Sequence, residues 1–527
     1  MDMFISASSQ YGKWWKMMED TLQPWVRARY EKLWSVFGQK EFTREEALEV
    51  LKEGEAKIGE DALNLLLSDL RKSGFLGVQA DLLDSRKKIY ALKPAEKLED
   101  LLTRGDLEGL MKKAADLIRT RVDYEFILIL LFLKRTSDKW KVEYEQAYQE
   151  ALSDGLSPED AEKEARAAVY HQFVLTDECL WDNIRKGPTS LPESFSKALK
   201  VLAEKNTDLQ GTVDRADFIR FAESPENVEI LRQLVELFSE RRLYDVSPHI
   251  LGDAYEWVLR YFAPEKAKEG EIYTPREVIR LLVEILDPKP GEKVYDPCCG
   301  SGGMLTLSNE HVGEDKAEQL FLFGQEANPK IWALCRMDLF IHDIRDAQIE
   351  LGDTLLYPKH KMNEFHLVMA NPPWNQDGYD DEVLKKGDFH KERFSYGYTP
   401  RQSADWAWIQ HMIAMAEHEN GRVGVVIDNG CLFRGGKERD IRSKIVNQDL
   451  IECIILLPEK LFYNTGAPGA ILIFRKNKPE ERKDKVLIIN ASNESIPHPS
   501  VRKLNSLSNE NIGRIARVYK EFREVPG

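Results

Sequence analysis

No stretch of this sequence stays apolar for longer than Phe126 to Leu133. That is far short of the roughly 20 residues that cross a bilayer, so no membrane span is expected. The N-terminus, MDMFISASSQYGKWW, lacks the basic start and apolar core of a secretory signal. Six cysteines lie scattered at 179, 298, 299, 335, 431 and 453, with no CxxC pair, which excludes a disulfide framework or a cysteine zinc site. A reduced, cytosolic chain is the expectation. The 10 histidines form no HExxH or HxH pattern, so no metal site is expected. Positive charge is also in deficit: 74 Lys and Arg stand against 89 Asp and Glu, a net charge of −15. That excludes a protein that grips nucleic acid unaided through a broad basic surface. If nucleic acid is the substrate, a local basic patch or a partner subunit supplies much of the affinity.

What is present is an ordinary globular composition, 43% hydrophobic and 31% charged over 527 residues. The length allows about three or four domains. Residues 1–95 read as a small winged-helix-like module. Thr43 and Glu46 fit a capping box opening a helix through Leu51, and a second helix runs from about Asp61 to Ser73, stopping at Gly74. Two short strands, Phe75 to Val78 and Lys88 to Leu92, then flank a polar tip, Asp84 to Lys87. Such a module binds DNA or docks protein, and the balanced charge of the second helix does not choose. Residues 96–242 read as all-helical, with Ser157 before Pro158 capping one helix.

From Pro248 the texture changes. Apolar runs now alternate with helical stretches: Lys293–Tyr295, Leu320–Gly324, Ala347–Leu351, Phe365–Ala370, Arg422–Ile427, Leu450–Leu457 and Ala470–Phe474. Strands separated by helices predict a doubly wound, mostly parallel α/β sheet over 243–480. Residues 481–527 add one more strand, Val486 to Asn490, and a closing helix from Ser508 to about Glu524, a candidate for subunit docking.

In such sheets ligands bind outside the carboxyl ends of the strands. After the first strand stands DPCCGSGGM, in which Gly300, Gly302 and Gly303 form an open loop running into a helix. The spacing is GxGG, not the GxGxxG of dinucleotide folds, and Asp296 directly precedes the loop. An acid there repels a pyrophosphate and suits a ligand carrying an ammonium or sulfonium. Glu326 follows the second strand, 26 positions beyond Gly300, where an acid can take both ribose hydroxyls. Asp353, after the third strand, is placed to meet an adenine amino group. Asn371-Pro372-Pro373-Trp374 follows the fourth. Four successive strand ends therefore converge on one rim.

Asp296-Pro297-Cys298-Cys299-Gly300-Ser301-Gly302-Gly303 followed by Asn371-Pro372-Pro373-Trp374 resembles the S-adenosylmethionine-dependent amino-methyltransferases of DNA. More closely, the chain resembles the modification subunit of type I restriction–modification systems over roughly 97–480. GEIYTPREV upstream of the glycine loop, ADWAWIQHM after the Asn-Pro-Pro-Trp turn, and the helical segment around Phe126 carry this narrower match. The resemblance implies a methyltransferase domain with S-adenosylmethionine as cofactor, held by Glu271, Ile272, Tyr273, Thr274, Pro275 and Arg276, by Asp296, by Gly300 to Gly303 including Ser301, and by Glu326 and Asp353. Tyr273 and Pro275 would pack around the methionine moiety, and Thr274 would bond its carboxylate. It further implies DNA, a specificity subunit shared by two modification subunits, and an ATP-driven restriction subunit as partners.

The chemistry expected at the turn follows from the weakness of an aromatic amine as a nucleophile. Its lone pair is delocalised until both amino hydrogens are held by acceptors, here the Asn371 side-chain oxygen and the Pro372 carbonyl, kept stiff by Pro373. Trp374 then has the task of stacking on a flipped base, the blander alternative being a buried anchor for the turn. Between Trp374 and Ser403 lies a polar stretch carrying Lys385, Lys386, Lys391 and Arg393, expected to fold over DNA, with Phe394 or Tyr396 as a second stacking face. Asparagine at 371 leans towards adenine N6 as target. RNA or protein-glutamine amino-methylation, or an inactive cofactor-binding scaffold, are the alternatives.

Overall fold

The computed structural model describes residues 24–38, 40–52, 60–72, 75–80, 88–92, 102, 104–118, 123–186, 191–244, 246, 248–266, 273–313, 319–463, 465–498 and 501–524. The chain divides at Leu259 and Arg260 into two compact units.

In the first unit, α1 (Pro24–Phe37), β1 (Glu41–Thr43), α2 (Arg44–Val50), α3 (Glu60–Lys72), β2 (Leu76–Ala80) and β3 (Lys88–Leu92) follow one another. The strands form an antiparallel sheet in the order β1-β3-β2. The Thr43 box is present in both directions: Thr43 N–H donates to Glu46 at 2.7 Å, and Glu46 N–H donates to Thr43 Oγ1 at 3.3 Å. The stop at Gly74 and the tip at Asp84 to Lys87 lie outside the described residues. Helix α1 and the three-residue β1 add to the two helices and hairpin expected from the sequence.

The helical stretch that follows includes α4 (Arg104–Ile118), the 29-residue α5 (Glu125–Ser153), α6 (Leu191–Lys205) and α7 (Pro225–Ser239). The apolar run Ile127 to Leu133 is buried in α5, at about 1.5–3 kcal/mol per fully buried large side chain. Ser157 caps the helix Pro158–Ala165, accepting from Asp160 N–H.

The second unit is built on an eight-stranded sheet. Its strands are β4 (Lys293–Asp296), β5 (Phe321–Glu326), β6 (Gln348–Leu351), β7 (Leu367–Ala370), β8 (Arg422–Asp428), β9 (Ile451–Leu456), β10 (Gly469–Arg475) and β11 (Leu487–Asn490), ordered β11-β9-β10-β8-β7-β4-β5-β6. Strand β10 runs antiparallel to both β8 and β9, and every other pairing is parallel. Alternation along the strands feeds two cores. Leu367 and Met369 face one, together with α8 (Arg276–Leu286), α9 (Gly303–Val312) and α10 (Pro329–Ile341). Val368 and Ala370 face the other, with α11 (Asp405–Met415) and α12 (Lys437–Asn447). The sheet is wound on both faces. Strand order reverses between β4 and β7, so the crevice beyond the carboxyl ends of these two strands is the topological switch point.

The segment set apart in the sequence as 481–527 belongs to this same layer structure. Strand β11 pairs in parallel with β9. Ile512, Ile515, Ala516 and Tyr519 of α13 (Asn509–Glu521) are buried in the core that holds α8. No helix among the described residues is long and apolar enough to cross a membrane.

Candidate active site

The glycine loop rises from the end of β4. Gly302 sits at φ +94°, and a Cβ there would lie 3.0 Å from Cys335 Sγ, so both backbone and space require glycine. Gly300 is also left-handed, at φ +53°, and a Cβ there would meet nothing within 4 Å: the loop is open on that side. Gly302 N–H donates to the Cys299 carbonyl at 2.8 Å, turning the chain into α9.

Two carboxylates flank this loop. Asp296 is buried, and one of its oxygens accepts from Cys298 N–H at 3.0 Å. Burial pushes its carboxyl up to about 7, and the charge of Glu326 acts in the same direction. Glu326 accepts from Gly300 N–H at 3.1 Å and from Asn328 N–H at 2.8 Å. Burial raises this carboxyl as well. Asp353, past β6, accepts from Leu356 N–H at 3.1 Å and from the Tyr379 hydroxyl at 2.8 Å.

The segment before α8 meets the turn after β7. Asn371 Nδ2 donates to Thr274 Oγ1 at 2.9 Å, across 97 positions of sequence. Asn371 Oδ1 accepts from Trp374 Nε1 at 2.9 Å. The Trp374 ring packs edge-on against Phe462, with centroids 4.6 Å apart and planes at 67°. Gly469 adjoins both rings: a Cβ there would come within 2.9 Å of each. Trp374 is a partly buried anchor in this structure. Among the described residues no donor is bonded to the Pro372 carbonyl. Ser301 and Gly303 lie in the same loop and helix start, and Gly303 backs onto Ile279 of α8. Tyr273 packs near Tyr463, with ring centroids 6.0 Å apart, and Pro275 caps α8. Arg276 is buried in an ion pair with Glu310, at 2.9 Å. Glu271 and Ile272 lie outside the described residues.

The polar stretch after Trp374 departs from expectation. It is folded, with short helices at Asp381–Leu384 and His390–Arg393. Arg393 is buried and donates to the carbonyls of Thr354, Leu355 and Asp388. Phe394 is buried among Leu355, Leu384 and Trp408, and the Tyr396 hydroxyl bonds Gln448 at 2.9 Å. Neither aromatic is a free stacking face. Only Lys385, Lys386 and Lys391 of the four bases are exposed. Hydropathy marks such a stretch as surface because it does not register an arginine satisfied by backbone carbonyls.

Sequence reasoning also missed what fastens the downstream end of the turn. Asn375 N–H donates to Asp405 at 2.8 Å, and its side chain bonds Asp428 and Arg434. Arg434 in turn pairs with Asp405, with Asp428 at 3.1 Å and with Glu438 at 2.8 Å. The available signal was Asp405 within ADWAWIQHM.

A doubly wound sheet with a glycine loop and acids at the switch point is a nucleoside-binding architecture, and its strand order with one antiparallel strand, β10, is that of a methyltransferase fold. The same fold is seen in the methyltransferase subunit of a type I restriction–modification system from Streptococcus thermophilus, with a TM-score of 0.69 at 23% identity, covering 80% of this chain and 94% of that one. The family model for N-6 DNA methylase matches residues 246–527, and that for the HsdM N-terminal domain matches 107–238. Two methylase subunits from Methanocaldococcus jannaschii, of the type I restriction enzymes MjaVIII and MjaVII, are 42% and 41% identical. Each match covers 96% of this chain and, respectively, 88% and 87% of the relative. The methylase subunit of the Haemophilus influenzae enzyme HindI is 32% identical over 63% of this chain and 74% of its own length. The chain belongs to the N-6 DNA methylase family, as a type I restriction–modification methylase subunit that methylates adenine N6 in DNA.

Proposed function

We propose that the crevice between β4 and β7 binds S-adenosylmethionine and that Asn371-Pro372-Pro373-Trp374 presents a flipped-out adenine to it. The observation that carries this reading is the Thr274–Asn371 hydrogen bond, which ties the segment before α8 to the turn after β7. The residues fit the cofactor. Two carboxyls raised by burial, Asp296 and Glu326, border an open glycine loop. A ligand with one cationic centre and a pair of hydroxyls satisfies both. Glu326 takes the ribose hydroxyls, Asp353 the adenine edge, Asp296 the positive charge, and Ser301 to Gly303 the backbone side. Tyr273, Thr274 and Pro275 face the methionine end, and Arg276 stiffens that segment through Glu310; Glu271 and Ile272, read from the sequence as part of the same set, lie outside the described residues.

The bound cofactor supplies an electrophilic methyl group on a sulfonium. The chain supplies acceptors and orientation. Asn371 Oδ1 and the Pro372 carbonyl take the two N6 hydrogens, which concentrates the nitrogen lone pair along the line of attack. Pro372 and Pro373 restrict the backbone, so the acceptors are in place before the base arrives. The seat of Trp374 against Phe462 and Gly469 supports the anchoring alternative over the stacking expected from the sequence.

The partners follow from the type I relatives and from the net charge of −15. DNA is gripped together with a specificity subunit that carries the recognition sequence and is shared by two copies of this chain, and a restriction subunit completes the enzyme.

The test is methyl transfer from labelled S-adenosylmethionine to unmethylated DNA, with and without the specificity subunit, followed by nucleoside analysis. Labelled N6-methyladenine is expected. Label on RNA or protein instead would sink the reading. Asn371→Ala is expected to abolish transfer and leave cofactor binding nearly unchanged; loss of both would make the residue structural.

A further inference from the structure

The Asn371 carboxamide is held at both ends, and the two holders are not equivalent. Its nitrogen donates to the Thr274 hydroxyl and its oxygen accepts from the Trp374 indole, each at 2.9 Å. A hydroxyl donates or accepts, so Thr274 alone would tolerate either orientation of the amide. An indole N–H only donates. Turning the amide over would bring Asn371 Nδ2–H against Trp374 Nε1–H, two donors facing each other at a side chain only 9% exposed. The indole is restrained from turning aside to relieve this. It packs against Phe462 and Gly469, and its N–H also reaches the Val426 carbonyl on β8, at 3.3 Å.

We infer that Trp374 is a positioning residue. It acts through its ring nitrogen to keep the Asn371 oxygen, and not the nitrogen, on the accepting side of the turn, while Thr274 secures the opposite end from the cofactor segment. The oxygen has a second lone pair for the adenine amino group. The inference rests on the proposed role of Asn371. It differs from a stacking role for Trp374, because it depends on one N–H and not on the aromatic face.

The experiment uses the assembled methylase with its specificity subunit and compares Trp374→Phe, Thr274→Val and Thr274→Ser. Phenylalanine keeps an apolar ring and removes the N–H. For Trp374→Phe, kcat is expected to fall about 10- to 100-fold, the scale of a misplaced catalytic group. KM for DNA and the dissociation constant for S-adenosylmethionine are expected to stay within about twofold of the parent, a change of at most ~0.4 kcal/mol. A 2-aminopurine at the target position is expected to report base flipping as in the parent. At saturating cofactor, Thr274→Val is expected to lower kcat similarly and Thr274→Ser to restore most of it.

Two results overturn the inference: an unchanged kcat in Trp374→Phe, or a raised KM for DNA with loss of the 2-aminopurine signal and kcat preserved at saturation. The second would make the ring a stacking platform. If Trp374→Phe fails to fold, Trp374→Tyr and Trp374→Leu, which also lack the indole N–H, take its place, and an unchanged kcat in a folded one overturns the inference. Failure of the underlying reading is seen separately, as an Asn371→Ala enzyme with full activity or a parent protein that places no methyl on adenine.

Discussion

The Glu326 carboxylate accepts the Gly300 N–H at 3.1 Å, so the tip of β5 grips the loop that follows β4. A ribose bound as proposed would meet an acid already oriented by backbone donors. Glu326→Ala removes both the acceptor and the clamp. Cofactor affinity is expected to fall about 10- to 100-fold, the range for one or two charge-assisted hydrogen bonds. Titration calorimetry with S-adenosylmethionine measures it, and a change under twofold would count against the ribose assignment.

Asp296 is expected to make the site sensitive to pH. Burial holds its carboxyl at about 7, well above the value of an unfolded chain. Because the folded value is raised, its contribution to stability is full below about pH 4 and is lost as pH rises through about 7. Binding a cation at the ionised form works in the opposite direction. Affinity for S-adenosylmethionine is therefore expected to rise about five- to tenfold from pH 6 to pH 8. S-adenosylhomocysteine, which lacks the sulfonium charge, is expected to change less, and Asp296→Asn should flatten the difference. Parallel pH profiles for the two ligands would remove Asp296 from the cation's neighbourhood.

Arg393 is expected to be a folding residue, not a DNA contact. Its guanidinium is spent on three backbone carbonyls, those of Thr354, Leu355 and Asp388. Arg393→Ala leaves them buried without a donor, at a cost of about 3–5 kcal/mol. Urea denaturation reads this loss. Where the variant is still folded, the salt dependence of DNA binding is expected to match that of the parent. A shallower salt slope with unchanged stability would restore the DNA role.

Ending the chain at residue 480 should be far more damaging than the removal of an appendage. It strips β11 from β9 and withdraws Ile512, Ile515 and Tyr519 from the core around α8. The Tyr519 hydroxyl, 2.6 Å from the buried carboxylate of Glu452, goes with them. An exposed sheet edge and apolar helix face favour aggregation. Expression in the insoluble fraction is expected, and a soluble, cooperatively melting product would show that the sheet closes without its last strand.

Much of this organisation was legible because strand burial imposes apolar runs and because polar or glycine residues after those runs stand out. The convergence at Asp296, Glu326, Asp353 and Asn371 follows from that alone. The direction of β10 was not legible, since an apolar run reads the same in either orientation. Nor was the bond from Thr274 to Asn371, which depends on how the chain returns after 97 positions. Arg276 and Arg393 illustrate the commonest failure: charge in a sequence reads as surface or ligand, while the fold has buried one against Glu310 and the other against carbonyls.

Gly469 gives the turn a genetic consequence. A Cβ at this position would sit 2.9 Å from both the Trp374 and Phe462 rings. A smaller residue at 374 relieves only part of that clash, because the Phe462 ring stands just as near, and it gives up the indole bonded to Asn371. No single exchange at 374 therefore compensates for bulk at 469. Gly469, nearly a hundred residues downstream, is expected to tolerate substitution as poorly as the turn itself.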